Sequence, residues 1–354
     1  MHVSLSKSGR RFSVAADQSV LDAAFTAGLR LPHSCRSGNC GSCRARLVHG
    51  RTSYPNGPPP GLSADEAAAG FVLLCQARAL TDLCLELPRV SPADAPGSVR
   101  RLPCRIERVE PRSHDVVAVF LRLPAVERFE FEPGQYIDVM LSGGRRRSFS
   151  IASPPHDSKL LELHVRRVVG GEFTERLFAR PTSRALLEIE GPLGRFVYRA
   201  AAADAGAAPP APMLLIGGGT GLAPLNSIIR HVVERSLHRD MTLYWGVRSE
   251  RDLYAHAELE ALARRAQCLR YVPVLSEGTS AWGGRRGWVH EAASNDIPRL
   301  AAYDVYASGP PQLIAAVRRD FAARGVDAER LSFDSFDYAP DTLARQRTSA
   351  ASKS

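Results

Sequence analysis

At 354 residues the chain is long enough for two or three domains, each with its own buried core. Its net charge of +9 comes largely from arginine spread along the sequence, not from a Lys/Arg block with interleaved aromatics, which argues against a nucleic-acid surface. No apolar run reaches membrane-spanning length and the amino terminus has no apolar export stretch, so the expectation is a cytoplasmic protein without a membrane span.

The first segment, residues 1–90, reads as a small α+β unit. Residues 3–7 and 11–14 alternate like strands around Ser8-Gly9, and Ser19 opens a short helix. The run from Ser34 to Cys43 then places three cysteines, Cys35, Cys40 and Cys43, at C-x4-C-x2-C spacing, with a distant fourth at Cys75. This is the plant-type ligand pattern of a [2Fe–2S] cluster, which carries single electrons. Gly38, Asn39 and Gly41 are suited to positive φ, and Ser37 and Ser42 leave backbone N–H groups free for cluster sulfurs. Structural zinc fits less well, because 31 residues separate Cys43 from Cys75 and there is no second C-x2-C. A disulfide framework fits less well too, since Cys84, Cys104 and Cys268 are scattered and read as ordinary buried residues. Ser63-Ala64-Asp65-Glu66 is a capping box predicting a helix that runs into Phe71. The apolar run ending at Leu74 would hold Cys75 on rigid structure, and residues 83–87 would close the unit as a strand.

A Pro-rich stretch at 88–97 reads as a semi-rigid linker. The second segment, 98–200, alternates strands with few helices, as an antiparallel barrel would. In it Arg147, Ser148, Phe149 and Ser150 combine a guanidinium and two hydroxyls, suited to phosphate, with an aromatic suited to a flat ring system; a plain strand edge has the same composition. His164 and Arg166 lie on a following strand, and Gly171, Glu172, Phe173 and Thr174 open a helix whose N–H groups suit a pyrophosphate. Residues 191–196 would end the barrel in a tight turn.

After an Ala/Gly/Pro break at 200–212 the third segment, 211–338, shows α/β alternation with strand runs at 213–216, 241–245, 269–275 and 304–307, which implies a parallel sheet. The first run leads into Gly217, Gly218, Gly219, Thr220 and Gly221, a strand–glycine loop–helix element for a dinucleotide pyrophosphate. Arg248 and the run Ser308-Gly309-Pro310 lie just past other strand ends, where a parallel sheet binds ligands. Residues 339–354 are small and polar, the composition of a disordered tail.

With these residues together the chain resembles the ferredoxin–NADP⁺ reductase superfamily, in particular modular reductases with an amino-terminal plant-type [2Fe–2S] domain, over residues 1 to about 338. The resemblance implies three domains: a β-grasp-like α+β ferredoxin unit, an antiparallel β-barrel for FAD and a parallel-sheet nucleotide-binding unit. It matches Arg147-Ser148-Phe149-Ser150 to the flavin motif, with Phe149 against the isoalloxazine, and the loop at Gly217 to the nicotinamide dinucleotide. Phe336 corresponds to the ring that shields the flavin, and Ser308 stands where such reductases usually carry cysteine, which implies slower hydride transfer. The implied activity carries electrons from NADH or NADPH through FAD and the cluster to a partner protein. Domain order and the runs at 244–248 and 252–254 look most like the CDP-6-deoxy-Δ3,4-glucoseen reductase group, so the implied partner is a deoxysugar dehydrase or, equally, an oxygenase. A free flavin or ferric reductase and a redox sensor are the other classes. Arg248 and Arg251 would favour a 2′-phosphate and Glu250 and Asp252 oppose it, which tilts the expectation to NADH. A basic surface of this kind suits an acidic partner.

Overall fold

The computed structural model describes residues 1–87, 99–125, 129–157, 160–179, 184–200, 210–337 and 342. The Pro-rich stretch at 88–97, positions 201–209 of the second break, and the tail from 339 apart from Thr342 lie outside the described residues.

The first unit contains β1 (His2–Leu5), β2 (Arg11–Ser13), α1 (Val20–Thr26), β3 (Arg44–His49), β4 (Thr52–Ser53), α2 (Ala64–Ala68), β5 (Phe71–Leu73), β6 (Arg78–Ala79) and β7 (Leu83–Glu86). Its main sheet runs β2-β1-β7-β3-β5, with β1 and β7 parallel, and β4 pairs β6 in a separate ribbon. Ser19 caps α1 by accepting the Asp22 N–H, which brings Leu21 and Ala24 down onto Leu85 and Leu73. The Ser63–Glu66 capping box forms as its sequence requires. The helix it starts does not reach Phe71, however. It ends at Ala68 because Gly70 turns the chain with φ of 82°, and Phe71–Leu73 instead pairs with β3 as a strand.

The second unit contains β8 (Arg100–Pro111), β9 (Val116–Arg122), β10 (Tyr136–Met140), β11 (Arg146–Ser150), β12 (Leu161–Arg166), α3 (Glu172–Ala179) and β13 (Leu186–Leu193). Its strands run antiparallel in the order β11-β10-β13-β8-β9-β12. A bridge between Ile151 and Leu163 brings the two edges together, so the sheet curls into a barrel around Val119, Ile137, Leu163 and Ile189. Residues 191–193, expected in a turn, are the last part of β13, and the chain turns only at Gly194, whose φ is 97°.

The third unit contains β14 (Met213–Gly218), α4 (Leu222–Glu234), β15 (Met241–Val247), α5 (His256–Arg265), β16 (Leu269–Leu275), β17 (Arg285–Arg286), α6 (Val289–Asp296), β18 (Asp304–Gly309), α7 (Pro311–Ala323) and β19 (Leu331–Ser335). All six strands are parallel, in the order β17-β16-β15-β14-β18-β19. Met213-Leu214-Leu215-Ile216 reads as a continuous apolar run because helices cover both faces. Met213 and Leu215 pack towards α4 and α5, while Leu214 and Ile216 pack towards α6 and α7. Strand order reverses between β14 and β18, which opens a crevice at their carboxyl ends.

Candidate functional site

Cys35, Cys40 and Cys43 lie on the irregular loop between α1 and β3, and Cys75 follows β5 in a turn. Their sulfurs fall into two pairs. The Cys43 and Cys75 sulfurs are 3.2 Å apart. Cys35 and Cys40 are joined by reciprocal N–H to sulfur contacts of 3.3 and 3.5 Å, and the Ser42 N–H points at the Cys40 sulfur from 3.4 Å. Among the described residues, three potential ligand atoms share a 4.8 Å neighbourhood only at His114, Asp115 and Asp252, so no three of the four sulfurs do. One tetrahedral zinc would bring all four sulfurs within roughly 4 Å of one another. Two pairs fit two bridged irons instead. The Cys40 contact pulls the Cys35 thiol down to about 6, while the same contact and burial push the Cys40 thiol well up, so Cys35 is the first of this pair to deprotonate. Within the loop Gly38 and Gly41 adopt positive φ as expected, but the third such residue is Arg36 rather than Asn39, whose side chain is committed elsewhere.

On the barrel, β11 pairs with β10 so that Ser148 and Ser150 face one way and Arg147 and Phe149 the other. Ser148 donates to Asp138 at 2.6 Å, and the half-buried Phe149 ring lies 5.5 Å from that of Phe173 on α3. Arg147 donates to the Arg146 carbonyl, and Glu172 pairs with Arg145. Thr174 is committed within its own turn, where it accepts the Val168 N–H and donates to the Gly171 carbonyl. These residues of β11 and α3 are therefore neighbours. His164 goes elsewhere: its ring contacts Tyr254 of the third unit at 3.0 Å and Glu162 at 3.2 Å, beside a cavity of about 420 Å³ in which Arg112 and Arg230 each pair with Glu162. Arg166 pairs with Asp115 at 2.8 Å and reaches the loop at Gly219.

In the nucleotide unit the three expected loops lie side by side, because β15, β14 and β18 are neighbours. Gly217–Gly218, Gly246–Val247 and Ser308–Gly309 are the last residues of their strands and not the first beyond them. Gly221 packs on the Ser308 carbonyl so closely that a Cβ there would lie 2.1 Å from its oxygen. Ser308 is wholly buried and its hydroxyl has no partner among the described residues. The Phe336 N–H donates to the Gly309 carbonyl at 2.9 Å, which places that ring's backbone next to Ser308. Beyond β15, Arg248, Glu250 and Arg251 are exposed while Asp252 turns inward to accept from the N–H and hydroxyl of Ser249. Asp252 thus contributes little against a 2′-phosphate.

The three units meet at Asp334, the second-last residue of β19. Its carboxylate accepts Ser34 from the cysteine loop at 3.1 Å and Ser150 from β11 at 3.2 Å, while the Tyr136 hydroxyl donates to the Ser34 carbonyl at 2.9 Å. Burial pushes the Asp334 carboxyl up to about 7, against the opposing effect of the two serine hydrogen bonds. Neither Asp334 nor Tyr136 carries a local sequence signal, since each finds its partners in a distant segment. The cysteine loop and the Arg-Ser-Phe-Ser strand thus share one buried carboxylate carried by β19, the neighbour of β18 in the parallel sheet, which draws the three candidate sites together.

Comparison with known proteins agrees with this geometry. A 2Fe-2S iron-sulfur cluster binding domain matches residues 3–80, an oxidoreductase FAD-binding domain residues 103–198 and an oxidoreductase NAD-binding domain residues 215–319. The chain is 33% identical over 336 residues to the CDP-6-deoxy-L-threo-D-glycero-4-hexulose-3-dehydrase reductase of Yersinia pestis, covering 95% of this chain and 98% of that one. It is 36% identical over 343 residues to the reductase subunit of an aromatic O-demethylase from an Amycolatopsis species, covering 95% and 99%. Among solved structures, a cytochrome P450 reductase of Amycolatopsis superposes with a TM-score of 0.73 at 35% identity, covering 95% of this chain and 98% of that one.

Proposed function

Because the chain belongs to the family of modular iron–sulfur flavoprotein reductases, we propose that it is the NAD(P)H-oxidising component of a two-protein system and feeds electrons singly to a separate acceptor protein. When bound, the nicotinamide supplies a hydride, the flavin converts the electron pair into single electrons and the cluster carries them one at a time. In this reading Cys35 and Cys40 hold one iron and Cys43 and Cys75 the other, with the Ser42 N–H donating to a ligand sulfur. Arg147 binds the flavin's polar chain and Phe149, on the same face of β11, borders its ring, while Ser148 and Ser150 on the other face brace the strand through Asp138 and Asp334; Gly171, Glu172, Phe173 and Thr174 present a helix start to the pyrophosphate, and His164 and Arg166 brace the adjoining surface of β12. The turn formed by Gly217, Gly218, Gly219, Thr220 and Gly221, with Gly309 and Pro310 opposite, admits a dinucleotide, and Arg248 meets its ribose end. Ser308 offers its unpartnered hydroxyl to the nicotinamide, and Phe336 covers the flavin face until the nicotinamide enters.

The observation that carries this reading is Asp334, which ties the cysteine loop and the flavin strand to one carboxylate. The working units follow as 1–90, 98–200 and 211–338. NADH is the preferred donor, because the exposed Glu250 opposes a 2′-phosphate. A dehydrase and an oxygenase stand as equal candidates for the acceptor, in line with the two kinds of relative. A cytoplasmic setting follows from seven free cysteines, four of them required as thiolates, and no described helix is long and apolar enough to cross a membrane. The test is an absorption spectrum of purified protein before and after anaerobic NADH. Bleaching of both flavin and iron–sulfur bands is the expected result, and absence of either band overturns the reading.

A further inference from the structure

The cysteine loop is held mainly by other parts of the molecule. From residue 27 to 43 it contains no strand or helix, yet its polar groups are anchored at several points. The Ser37 hydroxyl and the Asn39 amide both donate to Asp337, the latter at 3.0 and 3.1 Å. From the other side Arg318 on α7 donates to the Asn39 carbonyl and to the Gly61 carbonyl, each at 3.0 Å, with its guanidinium 4.5 Å from the centre of the Phe333 ring. Cys40 itself is buried in the apolar core of the third unit with Leu313 and Phe333. The edge of the loop that carries Cys35 and Cys40 is thus packed against the third unit, and its Ser34 is linked through Asp334 to Ser150 of the flavin strand.

We propose that Asp337 and Arg318 are positioning residues that seat the cysteine loop against the flavin strand and so set the rate at which electrons reach the cluster. The proposal rests on the functional reading above. With both cofactors bound, the two electrons of one NAD(P)H would cross this junction singly, the first being passed from the cluster to the acceptor protein before the second enters, so the loop position set by Asp337 and Arg318 would act on both. Asn39 is gripped twice, by side chain and by carbonyl, which fixes the loop immediately before Cys40 in position and in rotation. Asp337 lies one residue beyond Phe336, whose backbone N–H is tied to Gly309, so the segment that presents the Asp337 carboxylate is anchored to β18 independently of the cysteine loop. Neither Asp337 nor Arg318 touches the glycine loop or β11 among the contacts described, and flavin reduction by NADH does not depend on them.

The test uses the full-length holoenzyme with Asp337→Ala, Arg318→Gln and the double substitution. Reduction of ferricyanide by NADH, which draws electrons at the flavin, stays at the wild-type rate. Stopped-flow reduction of the cluster and the reduction of cytochrome c fall about tenfold or more in the double variant, the scale of loss that a small misplacement causes. Hydrogen–deuterium exchange of amides 34–43, measured on oxidised enzyme without NADH, becomes faster in each variant. An unchanged cluster reduction rate, or an unchanged exchange rate in Arg318→Gln, overturns the proposal. A matching fall in ferricyanide reduction overturns it as well, because the residues would then act on the flavin. Failure of wild-type protein to bind flavin and cluster would sink the functional reading, and the exchange measurement would still report whether the two residues hold the loop.

Discussion

Asp334→Asn isolates the cost of keeping an ionisable group at the junction. The carboxyl is buried, has two serine donors and no cationic partner among the described residues, and burial raises it from 3.8 to about 7. Between those two values the folded protein keeps a proton that the unfolded chain has released, so stability falls as pH rises through the window and the full cost is present above it. At 1.36 kcal/mol per pKa unit that cost is about 4 kcal/mol, of which about 2 kcal/mol appears between about pH 5.5 and about pH 8.5. Asparagine resembles the protonated form and carries no such dependence. The three tryptophans, Trp245, Trp282 and Trp288, all belong to the third unit, so urea unfolding followed by tryptophan fluorescence reports on the part that contains Asp334. Relative to the neutral asparagine, the wild type is expected to be less stable by about 2 kcal/mol at the lower pH and by about 4 kcal/mol at the higher one, so the gap widens by about 2 kcal/mol across the range. Parallel pH profiles would refute the argument, because the carboxyl would then titrate alike in the folded and unfolded states.

Three further outcomes follow from the same contacts. Ser308→Cys should speed flavin reduction by NADH, with about tenfold corresponding to 1.4 kcal/mol off the barrier; Ser308→Ala should slow it while leaving stability equal or higher, because the buried hydroxyl has no partner to lose. Rapid-mixing absorbance and denaturant melts measure the two effects separately. Gly221→Ala drives a Cβ into the Ser308 carbonyl and should cost about 1–3 kcal/mol and raise KM for NADH, whereas Gly283→Ala, with open space around it, should change neither. Cys75→Ser should abolish the iron–sulfur absorbance and cytochrome c reduction while flavin-level ferricyanide reduction continues, which an iron assay and the two turnover measurements would show.

Short patterns were the legible part of this protein. The cysteine spacing, the helix start at Ser19, the capping box at Ser63, the apolar run of β14 and the glycine turn after it each depend on residues close in the chain, and the helix starts, the strand and the turn form at those positions. Boundaries were less secure for a physical reason. A sheet continues as long as a neighbour offers hydrogen bonds, so β14, β15 and β18 run on into glycine and serine positions that look like loop when each strand is considered alone. Likewise Phe71–Leu73 left the helical pattern because β3 was available to pair with it.

Sequence alone therefore established the chemistry available, namely four thiols, a flavin-type strand and a dinucleotide loop in three successive segments. Tertiary structure alone decided how these parts face one another. Ser34 and Asp334 are 300 positions apart and Ser150 and Asp334 are 184 apart, and a hydrogen bond across such a separation leaves no periodicity or spacing to read. The same is true of His164, drawn to Tyr254 across 90 positions. A side chain's identity fixes what it can donate or accept, but its partner is chosen only when the folded chain brings one within reach.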